Sequence, residues 1–210
     1  VASDYSNAAW FYDNLSRVVF GQALVRAQTR FLSAIPAGAN VLIAGGGTGK
    51  LLESIAAVHP QRLKITYAEI SSKMIARARQ RNAGQNEVTF VNDAVEHVAG
   101  QEVFDVVITP FLLDSLNPVI FPQVFNHMHQ LLKPGGIWLN TDFQLTGKWW
   151  QKPLLKSMYF FFRLMGCTDT ISLPQIANQF RQLDYDVVKE KGFYGDFILA
   201  SVYEKQKIVI

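Results

Sequence analysis

Short runs that are apolar at nearly every position alternate, over most of the chain, with segments whose apolar residues recur at helical spacing. Asn40–Ala44, Leu63–Ala68, Val88–Val91, Phe104–Thr109 and Gly136–Thr141 make up the first set. Their β-branched content, with apolar side chains facing both ways, predicts parallel strands covered on both faces. Gly49–Val58, Ser71–Asn82 and Pro118–Leu132 make up the second set and predict helices, the last closed by Lys133-Pro134-Gly135-Gly136. Right-handed crossovers between such strands stack the helices on both faces of one sheet.

The rhythm changes near the carboxyl end. Tyr185–Gly192 and Asp196–Glu204 are strand-like runs joined by a short glycine-containing turn, which predicts an antiparallel hairpin. The sum is an α/β fold: a doubly wound, seven-stranded mixed sheet in a single domain over residues 1–210. Two segments stand outside it. Ser6–Ala34 predicts two helices broken near Phe20-Gly21, a helical cap over residues 1–36; Thr146–Gly166 predicts a helical insertion within residues 146–172.

Composition narrows the setting. With 210 residues, 49% of them hydrophobic and 18% charged, the chain can bury a core of its own. The net charge of +3 comes from scattered Lys and Arg with no basic cluster, so a nucleic-acid partner is not expected. Cys167 is the only cysteine, no Cys/His spacing suits a metal, and a reducing cytoplasm is the expected location. The amino end has no signal-peptide pattern. The most apolar stretch, Leu154–Met165, holds Lys156 and Arg163 and is too short to span a bilayer, which leaves peripheral membrane contact open.

The chemistry-bearing string is Val41-Leu42-Ile43-Ala44-Gly45-Gly46-Gly47-Thr48-Gly49-Lys50, a strand that runs into glycines and then a helix. Glycines there allow a tight turn and bring a ligand against bare backbone at a helix start. The spacing is G-x-G-x-G; the third glycine of a dinucleotide loop would fall at Lys50, and the first glycine of a triphosphate loop at Ala44. Glu69 follows the second strand, 20 residues after Gly49, where a carboxylate can accept both hydroxyls of a ribose, or serve only as a surface or capping residue. Asp93 follows the third strand and can accept from an adenine amine, or be an ordinary loop aspartate.

In this order, at successive strand ends, these pieces resemble the class I S-adenosylmethionine-dependent methyltransferases, with a Rossmann-like fold; the likeness runs from about Asn40 to Asp142 and includes Leu131-Leu132-Lys133-Pro134-Gly135-Gly136. It implies that S-adenosyl-L-methionine is the cofactor and the chain an enzyme. Gly45, Gly46 and Gly47 would line its methionine part, Glu69 would bind the ribose, Ile70 would pack on the adenine, and Asp93 and Ala94 would hold the adenine edge. Thr109 and Pro110 would contact the cofactor from beneath and face a methyl acceptor.

Two departures matter. Ile43 stands where the family usually has an acidic residue for the cofactor's amino group, and Thr109-Pro110-Phe111-Leu112 lacks the Asn-Pro-Pro-Tyr type of sequence used on nucleic-acid or protein amines. The acceptor expected is therefore a small, apolar or aromatic molecule. Methyl transfer from an activated sulfonium needs alignment more than catalytic groups. Asp114 is the one in-cleft base candidate, with helix capping as its other role. Trp10, Tyr12, Trp149 and Trp150 are candidates for an apolar lid over the acceptor, unless their segments pack as ordinary helices.

The remaining polar residues carry less. His127 and His129 are two apart on a predicted helix, which is not a shared metal spacing, and both read as solvated; His59 and His97 show no partner. Lys148, Lys152 and Lys156 would form a basic stripe if Pro153 does not break their helix. Two other functions stay open. The Gly-Gly-Gly turn also resembles aminopropyltransferases that use decarboxylated S-adenosylmethionine, although Thr48 replaces their aspartate, and a non-catalytic cofactor-binding protein would have the same fold. Oligomeric state is not legible.

Overall fold

The five apolar runs lie side by side because each presents side chains that must be buried on both faces. The structure, a computed structural model, describes residues 19–164 and 172–207. Its strands are β1 (Asn40–Ala44), β2 (Gln61–Ala68), β3 (Gln85–Val91), β4 (Phe104–Pro110), β5 (Leu132–Phe143), β6 (Tyr185–Phe193) and β7 (Ile198–Lys205), in the order β3-β2-β1-β4-β5-β7-β6. β1 through β5 pair in parallel, and β7 runs antiparallel between β5 and β6. The helices are α1 (Ala23–Thr29), α2 (Lys50–Val58), α3 (Ser72–Ala78), α4 (Phe121–Leu131), α5 (Gln151–Leu164) and α6 (Ile176–Gln182). This is the doubly wound seven-stranded mixed sheet that the patterning predicts.

Alternation along each strand divides two cores. Leu42 and Ala44 of β1, Val107 of β4 and Trp138 of β5 pack with Val124, Phe125, Met128 and Leu131 of α4 and Phe180 of α6. Val41 and Ile43, Ile65 and Tyr67 of β2, Val106 and Ile108 pack on the opposite face with Leu51, Leu52 and Ile55 of α2 and with Ile75 and Ala78 of α3. A third cluster joins Leu24 and Ala27 of α1 and Leu155 of α5 to Phe143, Phe197, Ile198 and Ala200.

Several boundaries shift for visible reasons. β5 starts at Leu132 because that residue pairs with Phe104, so α4 ends at Leu131. α4 begins only at Phe121, since Asn117 first forms a turn in which its side chain accepts from Val119 N–H at 2.9 Å. α3 stops at Ala78, where Gln80 and Arg81 N–H bond three residues back to Arg77 and Ala78 carbonyls. Pro153 does not break α5, because it lies in the first turn, where its missing N–H has no intrahelical partner to lose. Among the described residues no helix is long and apolar enough to cross a membrane.

Candidate functional site

The strand order reverses between β1 and β4, which splays the loops after these strands and opens a crevice at their carboxyl ends. A cleft of about 330 Å³ lies there. Its floor is the glycine turn. Gly45 and Gly47 have φ of +68° and +63°, and Gly49, at +80°, leads into α2. A Cβ at Gly47 would meet only the Met74 sulfur, at 3.9 Å, so the cleft side of this residue is bare backbone.

Glu69 sits just past β2, where Glu69 N–H bonds to Val91 O and aligns the turn beside β3. The side chain is only 7% exposed. Its Oε2 accepts from Gly47 N–H at 3.0 Å and its Oε1 from Ser71 N–H at 2.9 Å. One carboxylate thus ties the glycine turn to the start of α3 at the edge of the cleft. Tyr67 braces the turn from behind. Its hydroxyl donates to Gly47 O at 2.9 Å, and burial, with the Glu69 charge nearby, pushes the phenol well above its usual range.

Gly45, Gly46, Gly47, Glu69, Ile70, Asp93, Ala94, Pro110 and Asp114 all line the cleft. Asp93 is exposed; its Oδ1 accepts from Ala94 N–H and meets His97 Nδ1, both at 2.8 Å, and the His97 contact first holds its carboxyl below the usual range. Thr109 does not reach the cleft. It is fully buried inside the sheet, accepting from Trp138 Nε1 at 2.8 Å and donating to Asn140 Oδ1 at 2.7 Å. Ile43 is also fully buried, in the core beneath α2, away from the cleft walls.

The expected lid residues are placed differently. Trp10 and Tyr12 lie outside the described residues. Trp149 is 86% exposed, and Trp150 packs edge-on against Tyr194 and Phe197 of the hairpin; neither lines the cleft. Leu155, Met158 and Tyr159 of α5 take that place, facing Phe111 and Phe143, while Leu24, Val25 and Gln28 of α1 close another wall. The burial of α5 at Gln151, Leu154, Leu155, Met158 and Tyr159 has helical spacing, a signal that points to these residues rather than to the preceding tryptophans.

Asp114 has company that the sequence did not show. It lies in a 3-10 turn, Leu113–Ser115, and accepts from Phe143 N–H at 3.1 Å, while Asp114 N–H points at Asp142 Oδ1, 3.4 Å away. The capping role is therefore not the one it fills. Both side chains are buried. Burial pushes Asp114 up to about 6; burial first, and then the Asp114 charge, hold Asp142 well above the usual carboxylate range. Asp142 Oδ2 is buried without a hydrogen-bond partner among the described residues, the two raised carboxyls titrate as a pair, and Asp114 is the one that lines the cleft. Asp142 is the penultimate residue of β5, as Glu69 follows β2, and a carboxylate near a strand's carboxyl end was the signal that could have found it.

The histidines correct the sequence expectation. His127 and His129 are half-buried and bonded, His127 Nε2 to Val98 O and His129 Nδ1 to the Tyr185 hydroxyl, each at 3.0 Å, and burial lowers His129 to about 4. His59 and His97 do have partners, Leu32 O and Asp93. Among the described residues no group of three or more His, Cys, Asp or Glu side chains could hold a metal ion.

The comparisons agree with this geometry. Residues 41–136 match the family model described as methyltransferase domain. A comparison with curated protein sequences finds no match. Among solved structures, a Burkholderia thailandensis 1,6-didemethyltoxoflavin-N1-methyltransferase with bound 1,6-didemethyltoxoflavin and S-adenosylhomocysteine is similar at 19% identity and a TM-score of 0.60, over 95% of this chain and 88% of that one. The N-methyltransferase NodS of Bradyrhizobium japonicum, in complex with S-adenosylhomocysteine, is similar at 16% identity and a TM-score of 0.62, over 87% and 83%. A chain of the complex that contains the Haloferax volcanii Trm112 methyltransferase activator is similar at 12% identity and a TM-score of 0.70, over 98% and 99%. Residues 41–136 are thus similar to methyltransferase domains, and the fold of the chain is that of methyltransferases crystallised with S-adenosylhomocysteine, the demethylated form of S-adenosyl-L-methionine.

Proposed function

We propose that this chain, acting as one domain, transfers the methyl group of S-adenosyl-L-methionine to a small, apolar or aromatic molecule. The observation that carries the acceptor class is the wall opposite the glycine turn, where Pro110, Phe111, Phe143, Leu155, Met158 and Tyr159 line the cleft and Asp114 supplies the carboxylate among them. The bound 1,6-didemethyltoxoflavin of the Burkholderia neighbour supports a small-molecule acceptor. The single cysteine, Cys167, supports a cytoplasmic location as part of the same reading.

The residues present suit the cofactor. Gly47 offers bare backbone to its methionine part with Gly45 and Gly46 beside it on the cleft floor, the Glu69 carboxylate stands at the place for the ribose hydroxyls, and Ile70 and Ala94 flank the place for the adenine, whose amine falls to Asp93 Oδ2. Ile43 supplies no carboxylate for the amino group, and Gln28, a polar side chain on the α1 wall, is the group we assign to that end. When bound, the cofactor supplies an electrophilic methyl on a sulfonium. The protein's part is to hold the acceptor in line, exclude water with the α5 wall, and take the proton of an O–H or N–H acceptor on Asp114. The test is turnover with a panel of acceptors. Methylation of flat apolar phenols or heteroaromatic amines, with none of peptides or oligonucleotides, is the expected result; the reverse preference overturns it. Decarboxylated S-adenosylmethionine, run alongside, tests aminopropyl transfer.

A further inference from the structure

The outer face of α5 has a use that the cleft does not absorb. Lys152, Lys156, Phe160 and Arg163 recur at i, i+4, i+8 and i+11, all exposed, with Phe160 at 72%. Trp149, in the turn that enters the helix, is 86% exposed. Two large aromatics left in water beside bases are unusual on a soluble surface, whereas at a lipid headgroup layer the rings enter the acyl boundary and the lysines reach the phosphates.

Charge decides between partners. Gln144 to Leu164 holds Lys148, Lys152, Lys156 and Arg163 and no acidic residue. Lys148 is engaged by Asp196 at 3.0 Å, while among the described residues neither Lys152 nor Lys156 has an ion pair. Val119, 78% exposed, lies in the loop after β4, at the same carboxyl edge of the sheet from which the α5 segment springs.

We infer that the exposed face of α5, with Trp149, docks on an anionic phospholipid surface. Aromatics interleaved with unpaired lysines fit lipid better than a polyanion in water, which needs no exposed rings. The opposite face of the same helix gives Leu155, Met158 and Tyr159 to the cleft wall, so docking sets that wall against the bilayer. The surface stands apart from the methyl-transfer reading; only its consequence rests on that reading, namely that the apolar acceptor enters from the lipid side.

Sedimentation of the full chain with vesicles of phosphatidylglycerol and phosphatidylcholine in equal parts tests the surface. The chain should pellet with these and not with phosphatidylcholine alone. Lys152→Gln with Lys156→Gln should lower the partition by about 25-fold, from roughly fivefold per lysine at an anionic surface. Trp149→Ser with Phe160→Ser should abolish the vesicle-induced blue shift of tryptophan emission. All four positions are exposed, so circular dichroism and S-adenosylhomocysteine affinity should not change. Equal sedimentation with and without vesicles, undiminished binding by both double variants, or binding to heparin as tight as to the mixed vesicles would overturn the inference. Retained S-adenosylhomocysteine binding in any of those cases leaves the methyl-transfer reading standing, and its loss with vesicle binding intact would do the opposite.

Discussion

Replacing Glu69 separates the two jobs its carboxylate does. In the folded chain the side chain is 7% exposed and accepts from Gly47 N–H and Ser71 N–H at 3.0 and 2.9 Å. Glu69→Ala leaves both amides without this partner. A hydrogen bond to a charged group contributes about 1.5–3 kcal/mol, and because the two share one carboxylate they do not add fully, so the expected loss of folding stability is about 3 kcal/mol. Glu69→Gln keeps one acceptor oxygen and sets an amide NH₂ against the other N–H, so it should fall between wild type and Ala. The further loss in S-adenosylhomocysteine affinity, from missing ribose contacts, is again about 1.5–3 kcal/mol, or roughly 10- to 150-fold in Kd. Urea unfolding with and without ligand measures both. An Ala variant within about 0.5 kcal/mol of wild type, the ordinary range for an inert surface change, would refute the brace. A folded Ala variant with unchanged affinity would refute the ribose contact.

Four other outcomes follow from the same geometry. A Cβ on Gly46 would stand 2.3 Å from Tyr67 Cζ, and Tyr67 is fully buried with its hydroxyl on Gly47 O; Gly46→Ala should therefore destabilise by about 2–4 kcal/mol and distort the turn, seen in urea midpoints and weakened ligand binding. The Asp114–Asp142 pair has carboxyls raised above their unfolded values, so its contribution to stability is full below about pH 4 and is lost as pH rises through about 6 and beyond; Asp142→Asn should flatten that slope in melting temperatures against pH, and an unchanged slope would count against the buried pair. With an O–H or N–H acceptor, Asp114→Asn should lower kcat by about 10²–10⁴-fold and remove a fall in rate below about pH 6, whereas an unchanged profile would make Asp114 structural. Met158→Trp should fill the acceptor end and stop turnover while S-adenosylhomocysteine titrates as in wild type; equal loss of both would place Met158 at the cofactor instead.

What the sequence made legible follows from what physics writes locally. β1, β2 and β4 are covered on both faces, so their apolar runs announced themselves, and the place of Glu69 beside the glycine turn was readable because it follows β2 directly, next to the loop after β1. Positions fixed by tertiary contact were not. Thr109 was read as facing the cofactor, but strand alternation places its hydroxyl with Trp138 and Asn140. Trp149 and Trp150 drew attention as large aromatics, yet the face of α5 that turns inward is set by Leu155, Met158 and Tyr159 at helical spacing. Asp142 was hidden because a residue near a strand's end shows its partner, here Asp114, only once β4 and β5 are paired.

Calorimetric titration with S-adenosylmethionine and S-adenosylhomocysteine, with decarboxylated S-adenosylmethionine and NAD in parallel, tests the central claim most directly. One site that takes the first two and neither of the others is the predicted result. Preference for the decarboxylated form, or binding of none of the four by the folded protein, would contradict it.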